Sequence, residues 1–285
     1  MQTAELSMNS ALRTLARLIP RNLRNHLKSP RQSWAWWRAS RRPPVQFSPG
    51  FGLAFKCPEL AVTAAFHLQQ DDPEQAAEFA EFMTLAAEFR DPLFFDIGCH
   101  FGIFSFAVVD RFGPGSKAIA IDPSNSACAM VRRIAEMNGW TQRIDVLLAA
   151  AGEKTGELEM VDGGVQCAGY FMLPADQPKR DRIVVPQKTI DSLAAEYGRK
   201  PDIVKIDVEG FEREVLIGGR RTLEGGDIPI CLEIHNQYMR DRGLDPICVT
   251  EELLRLGYRR FTCAGKSIEP AQFQRSGIIR VVARK

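Results

Sequence analysis

The chain has 285 residues, of which 45% are hydrophobic and 25% charged, values typical of a globular α/β domain with a short appendage. Nine Lys/Arg and a single acid, Glu5, lie within the first 50 residues, so the net charge of +2 conceals a basic N-terminus and an acidic body. Seven scattered cysteines argue against disulfides or structural zinc, and no apolar run reaches the roughly 18 residues that span a bilayer, which together predict a cytoplasmic protein.

Residues 1–50 are predicted to form a basic extension and linker, and residues 51–285 the main domain. Positions 9–28 combine apolar and basic residues at helical spacing, which predicts an amphipathic N-terminal helix that Pro20 divides. Four interpretations of this extension stay open: packing on the domain, recruitment of a partner, a peripheral membrane contact through residues 9–37, or an organelle transit peptide. The acidic body argues against a nucleic-acid partner.

The main domain shows alternating strand and helix patterns. Residues 51–70 are ambiguous and fit one or two strands, whereas Asp72 and Pro73 predict the start of a helix that runs to about Arg90. Seven strands are predicted after it, at Leu93–Ile97, Ala118–Ile121, Ile144–Ala149, Ile203–Asp207, Ile228–Ile234, Arg259–Cys263 and Gly277–Ala283. The helical patterns between them predict a mostly parallel sheet, with the last two strands as an antiparallel edge hairpin.

The turn after the first of these strands has the composition of a ligand-binding loop. It runs from Asp96 to Gly102, with Gly98 inside it, and it lacks the middle glycine of a dinucleotide loop. A leading carboxylate would repel a pyrophosphate but suits the ammonium and sulfonium of S-adenosylmethionine. Asp122 ends the next strand, where it can accept hydrogen bonds from ribose hydroxyls. The predicted cofactor-binding residues are Asp96, Gly98, His100, Phe101, Gly102, Asp122 and Pro123.

Ionisable residues interrupt two strands that should be apolar. Lys205 and Asp207 share one face of one strand, and Glu233 and His235 share one face of the next. Unpaired buried charges are costly, so these four residues are candidates for catalysis, against the alternative of a structural ion-pair network. His235 is the first candidate for a general base, because an imidazole titrates near neutral pH.

A divalent metal held by Asp207, Glu233 and Asn236 is a lesser alternative at the same strand ends.

Four segments together resemble the FkbM methyltransferase family. They are Phe95–Gly102, Thr189–Leu193, Lys205–Glu212 and Leu232–His235, within about residues 93–262. The resemblance implies a Rossmann-like class I methyltransferase fold, S-adenosylmethionine as cofactor and, usually, O-methylation of sugar or secondary-metabolite hydroxyls. One departure is that Cys99 and His100 stand where the family loop commonly has Ala and Asn, which leaves the contact made by His100 open.

The predicted function is therefore methyl transfer from S-adenosylmethionine to a hydroxyl of a small-molecule or glycan acceptor, such as a sugar, glycolipid or secondary metabolite. Residues 156–185 and 236–247 are expected to shape the acceptor pocket. Two other functions stay open: a non-catalytic module that binds the cofactor or a glycan, and, less favoured, an NAD(P)-dependent oxidoreductase.

Overall fold

The computed structural model describes residues 42–161 and 182–285. Within these residues the largest sheet has eight strands. In chain order they are β3 Leu93–Ile97, β4 Lys117–Asp122, β5 Ile144–Leu148, β9 Ile203–Ile206, β10 Ile230–His235, β11 Arg260–Cys263, β12 Lys266–Ser267 and β13 Ile278–Arg284. Across the sheet their order is β12-β11-β13-β10-β9-β3-β4-β5. All seven predicted strands therefore belong to one sheet, and the eighth is the two-residue β12.

The strands β5, β4, β3, β9 and β10 run parallel, and β13 lies antiparallel between β10 and β11. This confirms the predicted mostly parallel sheet with an antiparallel hairpin at one edge. The last strand is inserted beside β10, so β11 and β12 form the outer edge. The chain order reverses between β3 and β9, which is where an open α/β sheet binds its ligand.

An aromatic N-terminal hairpin precedes this sheet. Its strands are β1 Val45–Gly50 and β2 Leu53–Cys57. Phe55 is buried and lies 5.2 Å from the ring of Phe106. The boundary predicted after residue 50 falls within the tight turn of this hairpin, whose apolar face packs on the domain.

The ambiguous segment 51–70 contains one strand, β2, and is helical after it. The helical part consists of the short helix Glu59–Ala61, a π-helical turn Val62–Phe66 and the helix Leu68–Asp71. The buried ring of Phe66 packs between those of Phe47 and Phe106, a long-range contact that sequence periodicity does not reveal.

The helix α1, Pro73–Ala86, begins as predicted. The Asp72 carboxylate caps it by accepting hydrogen bonds from the backbone amides of Glu74 and Gln75, at 2.9 and 3.4 Å. The helices that follow in chain order are α2 Ile103–Arg111, α3 Asn125–Asn138, α4 Ile190–Glu196, α5 Glu212–Ile217, α6 Arg220–Glu224, α7 Asn236–Asp241 and α8 Ile247–Arg255, with a 3₁₀ turn at Pro270–Gln274.

One continuous helical pattern, residues 211–223, is divided into α5 and α6. The division falls at Gly218 and Gly219, and a Cβ at Gly218 would overlap with the backbone carbonyl of Gly152. This close approach requires glycine, and the two glycines interrupt the helix.

A second, three-stranded sheet has the order β6-β8-β7, with β6 Ala150–Ala151, β7 Gly156–Val161 and β8 Arg182–Lys188. The adjacent residues Gly163 and Gly164 indicate a hairpin turn by their sequence, but they lie outside the described residues, as does the predicted N-terminal helix with its predicted membrane contact. No helix in residues 42–161 and 182–285 is long and apolar enough to cross a membrane.

Candidate active site

A cavity of about 680 Å³ opens at the carboxyl ends of β3, β4, β9 and β10. Its volume lies within the 300–1,000 Å³ range of ordinary ligand pockets. All eleven residues predicted from the sequence line it: Asp96, Gly98, His100, Phe101, Gly102, Asp122, Pro123, Lys205, Asp207, Glu233 and His235. The fold thus brings the predicted cofactor loop and the ionisable strand ends to one site.

The loop after β3 turns at two glycines with positive φ. Gly98 has φ +78°, and a Cβ there would overlap with the backbone carbonyl oxygen of Asp207. Gly102 has φ +80°, and a Cβ there would lie 3.0 Å from the side chain of Val131. Glycine at both positions lets the loop pass close to the end of β9 and enter α2 directly.

His100 also has a positive φ, +45°. Non-glycine residues seldom adopt this conformation, but Asn and His are enriched in it, so the exchange of the family's Asn for His preserves the backbone geometry. The backbone amide of His100 donates to Asp122 at 2.9 Å, and its ring stacks on Phe101 at a centroid distance of 4.2 Å.

The two acids of the predicted cofactor site have different partners. Asp96 accepts hydrogen bonds from the hydroxyl and the backbone amide of Ser105, at 2.6 and 3.2 Å, and so anchors the first turn of α2. Asp122 accepts backbone amides from His100 and Ser124, at 2.9 and 2.7 Å, one on each oxygen. Each carboxylate oxygen of Asp122 retains a lone pair for a further donor.

Burial raises the pKa of both acids. The pKa of Asp122 rises to about 6, because burial outweighs the two hydrogen bonds from backbone amides.

A buried ion-pair network joins the strand ends to α1. The Lys205 amine lies 3.0 Å from a carboxylate oxygen of Glu233 and 3.1 Å from one of Glu78. Arg280, on β13, contacts the second oxygens of the same two carboxylates, each at 3.2 Å. Lys205 and Arg280 therefore each contact both carboxylates, and the four side chains form a closed ion-pair network.

Burial and mutual interaction set the protonation of this network. Burial alone would lower the pKa of Lys205, but the carboxylates, with Glu233 first, raise it well above its usual value. Burial alone would raise the pKa of Glu233, but Lys205 and Arg280 lower it to about 2. Burial, followed by the charge of Glu233, raises the pKa of Glu78 to about 7.

His235 lies among three carboxylates. Its Nδ1 is 2.8 Å from an oxygen of Glu212, and its Nε2 is 3.7 Å from Asp207 and 3.6 Å from Glu209. Burial alone would lower its pKa, but the hydrogen bond to Glu212 and the charges of these acids raise it to about 9. The imidazole is therefore protonated at neutral pH, which does not fit the role of base that the sequence predicts for His235.

The side chain of Asp207 is more exposed than that of Glu233, with 28% of its surface accessible against 9%. Burial, and then the charge of Glu233, raise its pKa well above the usual value, while Lys205 and His235 oppose the increase. A carboxylate with a raised pKa that faces a cavity has the properties of a general base near neutral pH.

The atoms of Asp207, Glu233 and His235 lie close enough together to surround a metal ion, within 4.8 Å of one another. However, both oxygens of Glu233 already contact cations of the chain, Lys205 and Arg280. Asn236, the third ligand of the predicted magnesium alternative, does not line the cavity, and its amide nitrogen donates to the carbonyls of Phe273 and Arg275, both at 2.7 Å. The geometry therefore favours a site neutralised by the chain itself.

Residues 96–260 match the model of the Methyltransferase FkbM domain, which spans the cofactor loop and both ionisable strand ends. The chain belongs to the FkbM methyltransferase family. It is accordingly an S-adenosylmethionine-dependent methyltransferase.

This FkbM methyltransferase is similar to a curated protein and to a solved structure. It is 26% identical, over 146 residues, to a probable cobalt-precorrin-6B C(15)-methyltransferase (decarboxylating) of Pyrobaculum calidifontis, covering 47% of this chain and 73% of that protein. It is similar to the solved FkbM methyltransferase of Methylobacillus flagellatus at a TM-score of 0.46 and 18% identity, covering 69% of this chain. The chain spans only 44% of the length of that structure.

An O-methyltransferase of Bacillus cereus, solved in complex with SAH, is similar at a TM-score of 0.41 and 14% identity, covering 79% of this chain and 88% of that one.

The cavity fits the cofactor of the family. Gly98 leaves space at the point where the loop approaches β9, and a Cβ would fill that space. Asp122 offers acceptors for the ribose hydroxyls, and the neighbouring Pro123, Ala149 and Ala150 give the cavity an apolar wall suited to a purine. Asp96 and Phe101 line the turn between this wall and the ionisable strand ends.

Asp122 provides a first prediction. Asp122→Asn replaces one acceptor oxygen with a donor, which faces either the backbone amide of His100 or that of Ser124. We expect the dissociation constant for S-adenosylmethionine, measured by calorimetry, to rise about 10–100-fold, because a hydrogen bond to a charged group is worth about 1.5–3 kcal/mol.

Asp145→Asn is the matched control, since Asp145 is a half-buried aspartate that forms an ion pair with Lys117 at 2.9 Å and does not line the cavity. Equal affinities of the two variants would show that Asp122 does not hold the cofactor.

Sequence reasoning missed several members of the site. Glu78 and Arg280 complete the ion-pair network, and Glu212 holds His235. Glu78 left a signal, because Glu74, Glu78 and Glu81 follow helical spacing beside the apolar stripe of α1. Of the first segment expected to shape the acceptor pocket, residues 158–160 line the cavity and residues 162–181 lie outside the described part of the chain. Residues 236–247, the second segment, are not among the described residues that line it.

Proposed function

We propose that this FkbM methyltransferase methylates a hydroxyl oxygen of a sugar, glycolipid or secondary metabolite, with Asp207 as the general base. The observation that carries the proposal is the position of Asp207, a partly exposed carboxylate with a raised pKa, at the cavity end of β9. Its backbone carbonyl lies against Gly98, so the base adjoins the cofactor loop. An alcohol must lose a proton during methyl transfer, and this carboxylate can accept it.

When bound, S-adenosylmethionine supplies a methyl group activated by a sulfonium. The chain contributes orientation and proton transfer. Asp207 would accept the proton of the acceptor hydroxyl, and His235 would stabilise the carboxylate through its positive charge at 3.7 Å. Lys205, fixed between Glu78 and Glu233, would contribute a second positive charge at 3.8 Å from Asp207. The cavity walls would hold and orient the acceptor, which is where most of the acceleration of a two-substrate reaction would arise.

The proposal is tested with S-adenosylmethionine carrying a labelled methyl group and a panel of glycans, lipids and polyketides. We expect a labelled product with an O–CH₃ group, identified by mass spectrometry and NMR, and turnover that is unchanged by exhaustive chelation. Label on nitrogen or carbon only would contradict the choice of oxygen. Loss of turnover on chelation would restore the metal alternative.

Two other activities are separated by binding. A non-catalytic module would bind S-adenosylmethionine and transfer no label to any acceptor. An NAD(P)-dependent oxidoreductase would bind a nicotinamide cofactor in calorimetry, but the buried Asp96 carboxylate, which would repel a pyrophosphate, argues against it.

A further inference from the structure

Glu212 is a carboxylate sealed inside the protein at the start of α5. Its side chain has no exposed surface, and one oxygen accepts hydrogen bonds from His235 Nδ1 at 2.8 Å and from the backbone amide of Gly210 at 2.9 Å. Its second oxygen is buried without a hydrogen-bond partner among the described residues. A buried carboxylate requires a cation close by, and His235 is the ion-pair partner that Glu212 has in the described part of the chain.

The opposite edge of the imidazole faces the cavity. There, Nε2 lies between carboxylate oxygens of Asp207 and Glu209, at 3.7 and 3.6 Å, while the ring stacks on Tyr238 at a centroid distance of 5.6 Å. Both ring nitrogens therefore point at carboxylates, an arrangement that favours the doubly protonated ring.

We propose that Glu212 is a positioning residue that holds His235 as an imidazolium aimed at Asp207, an inference that rests on the proposed role of Asp207 as base. The imidazolium offsets the burial of Asp207 and the charge of the neighbouring Glu233. A larger fraction of Asp207 is then ionised and able to accept a proton at neutral pH. Glu212 touches neither cofactor nor acceptor in this role, since it acts through His235.

The charges around both groups agree with this role. His235 faces Glu212 on α5, Asp207 and Glu209 after β9, Tyr238 on α7 and, along β10, Glu233. Asp207 faces Lys205, Glu209, Glu233 and His235, and of these His235 and Lys205 lower its pKa. Glu212 is not among the main influences on Asp207, so its effect on the base passes through the imidazole.

The test is Glu212→Gln, whose amide oxygen can still accept from His235 and Gly210 but carries no charge. We expect the NMR titration midpoint of His235 to fall from about 9 to near neutral, by about two pH units, because an opposite charge at hydrogen-bond distance has been removed. We expect the acid limb of the kcat profile to move to higher pH by about one pH unit, since an imidazole that is largely neutral above that midpoint no longer favours ionised Asp207.

Glu252→Gln is the matched control, because Glu252 is an equally buried glutamate that binds Arg220 at 2.7 Å, away from the cavity. We expect it to leave both the His235 midpoint and the acid limb in place, whatever it does to thermal stability. His235→Asn in the otherwise unchanged chain should reproduce the shift of the acid limb, which keeps the inference testable if Glu212→Gln folds poorly.

An unchanged His235 midpoint in Glu212→Gln, or an unchanged acid limb in His235→Asn, would overturn the inference. The NMR titration needs no turnover. If the unaltered chain transferred no methyl group to any acceptor, the proposed function would fail, while the titration would still decide whether Glu212 sets the charge of His235.

Discussion

Asp207→Asn is expected to lower kcat about 10²–10⁴-fold, the contribution of a positioned base, while the dissociation constant for S-adenosylmethionine changes little. The amide keeps the shape of the carboxylate but cannot accept the hydroxyl proton. Asp207 contacts the cofactor loop through its backbone carbonyl, which packs against Gly98. The variant retains this carbonyl. The measurement is a labelled-methyl assay for kcat combined with calorimetry for the cofactor.

The same variants are expected to differ in how kcat depends on pH. Activity requires ionised Asp207, whose pKa is raised by burial and by Glu233, so kcat should increase as the pH rises through that pKa. The asparagine variant should lose this limb, because it has no group to ionise there. His235→Asn should instead retain the limb at higher pH, with a smaller loss of kcat.

Asp241→Asn is the matched control, an exposed aspartate on α7 that contacts Gln237 and not the cavity. A reversed ranking, with His235→Asn nearly inactive and Asp207→Asn nearly unaffected, would return the role of base to His235.

The parallel sheet was predictable because its strands carry local signals. Leu93–Ile97 is continuous in buried residues and ends at a glycine turn, and the predicted bounds are those observed. The ionisable strand ends could be found because they depart from that pattern. Lys205 and Glu233 are charged residues inside otherwise apolar strands, where packing alone does not explain them. The sheet then brings them together at 3.0 Å through parallel pairing of β9 and β10.

The partners of these residues were not predictable to the same degree. Arg280 pairs with Glu233 because β13 is inserted antiparallel beside β10, and that insertion depends on contacts across 47 positions of sequence. Glu78 approaches Lys205 from α1, more than 120 positions away. No local pattern fixes such pairings, because they follow from how the helix packs on the completed sheet.

The role of His235 illustrates the same limit. Its position at the strand end was evident from alternation, but its charge depends on Glu212, whose buried orientation is set by the turn at Gly210 and the start of α5. An isolated imidazole titrates near neutral pH, whereas one enclosed by three carboxylates keeps its proton. The sequence therefore identified the residue but carries no local signal for its protonation, and the role of His235 as base stays a prediction that the variants above test.

Gly98→Ala is expected to disable the site through the backbone. The new methyl group would overlap with the carbonyl oxygen of Asp207, a backbone atom that cannot rotate away, and φ +78° is unfavourable for alanine. Relief requires the end of β3 to move away from β9, which displaces the cofactor loop and the base together. We expect the free energy of unfolding to fall by about 2–4 kcal/mol and the cofactor affinity by more than about tenfold.

Gly139→Ala separates the overlap from the cost of the backbone conformation. Gly139 ends α3 with φ +72°, and a Cβ there meets no atom within 4 Å. We expect this control to lose only about 1 kcal/mol, measured by denaturant unfolding, with unchanged cofactor affinity and kcat. Equal losses in the two variants would mean that positive φ alone explains the effect. A larger loss at Gly98, in stability and binding together, would establish the contact between the β3 loop and β9 as the structural basis of the site.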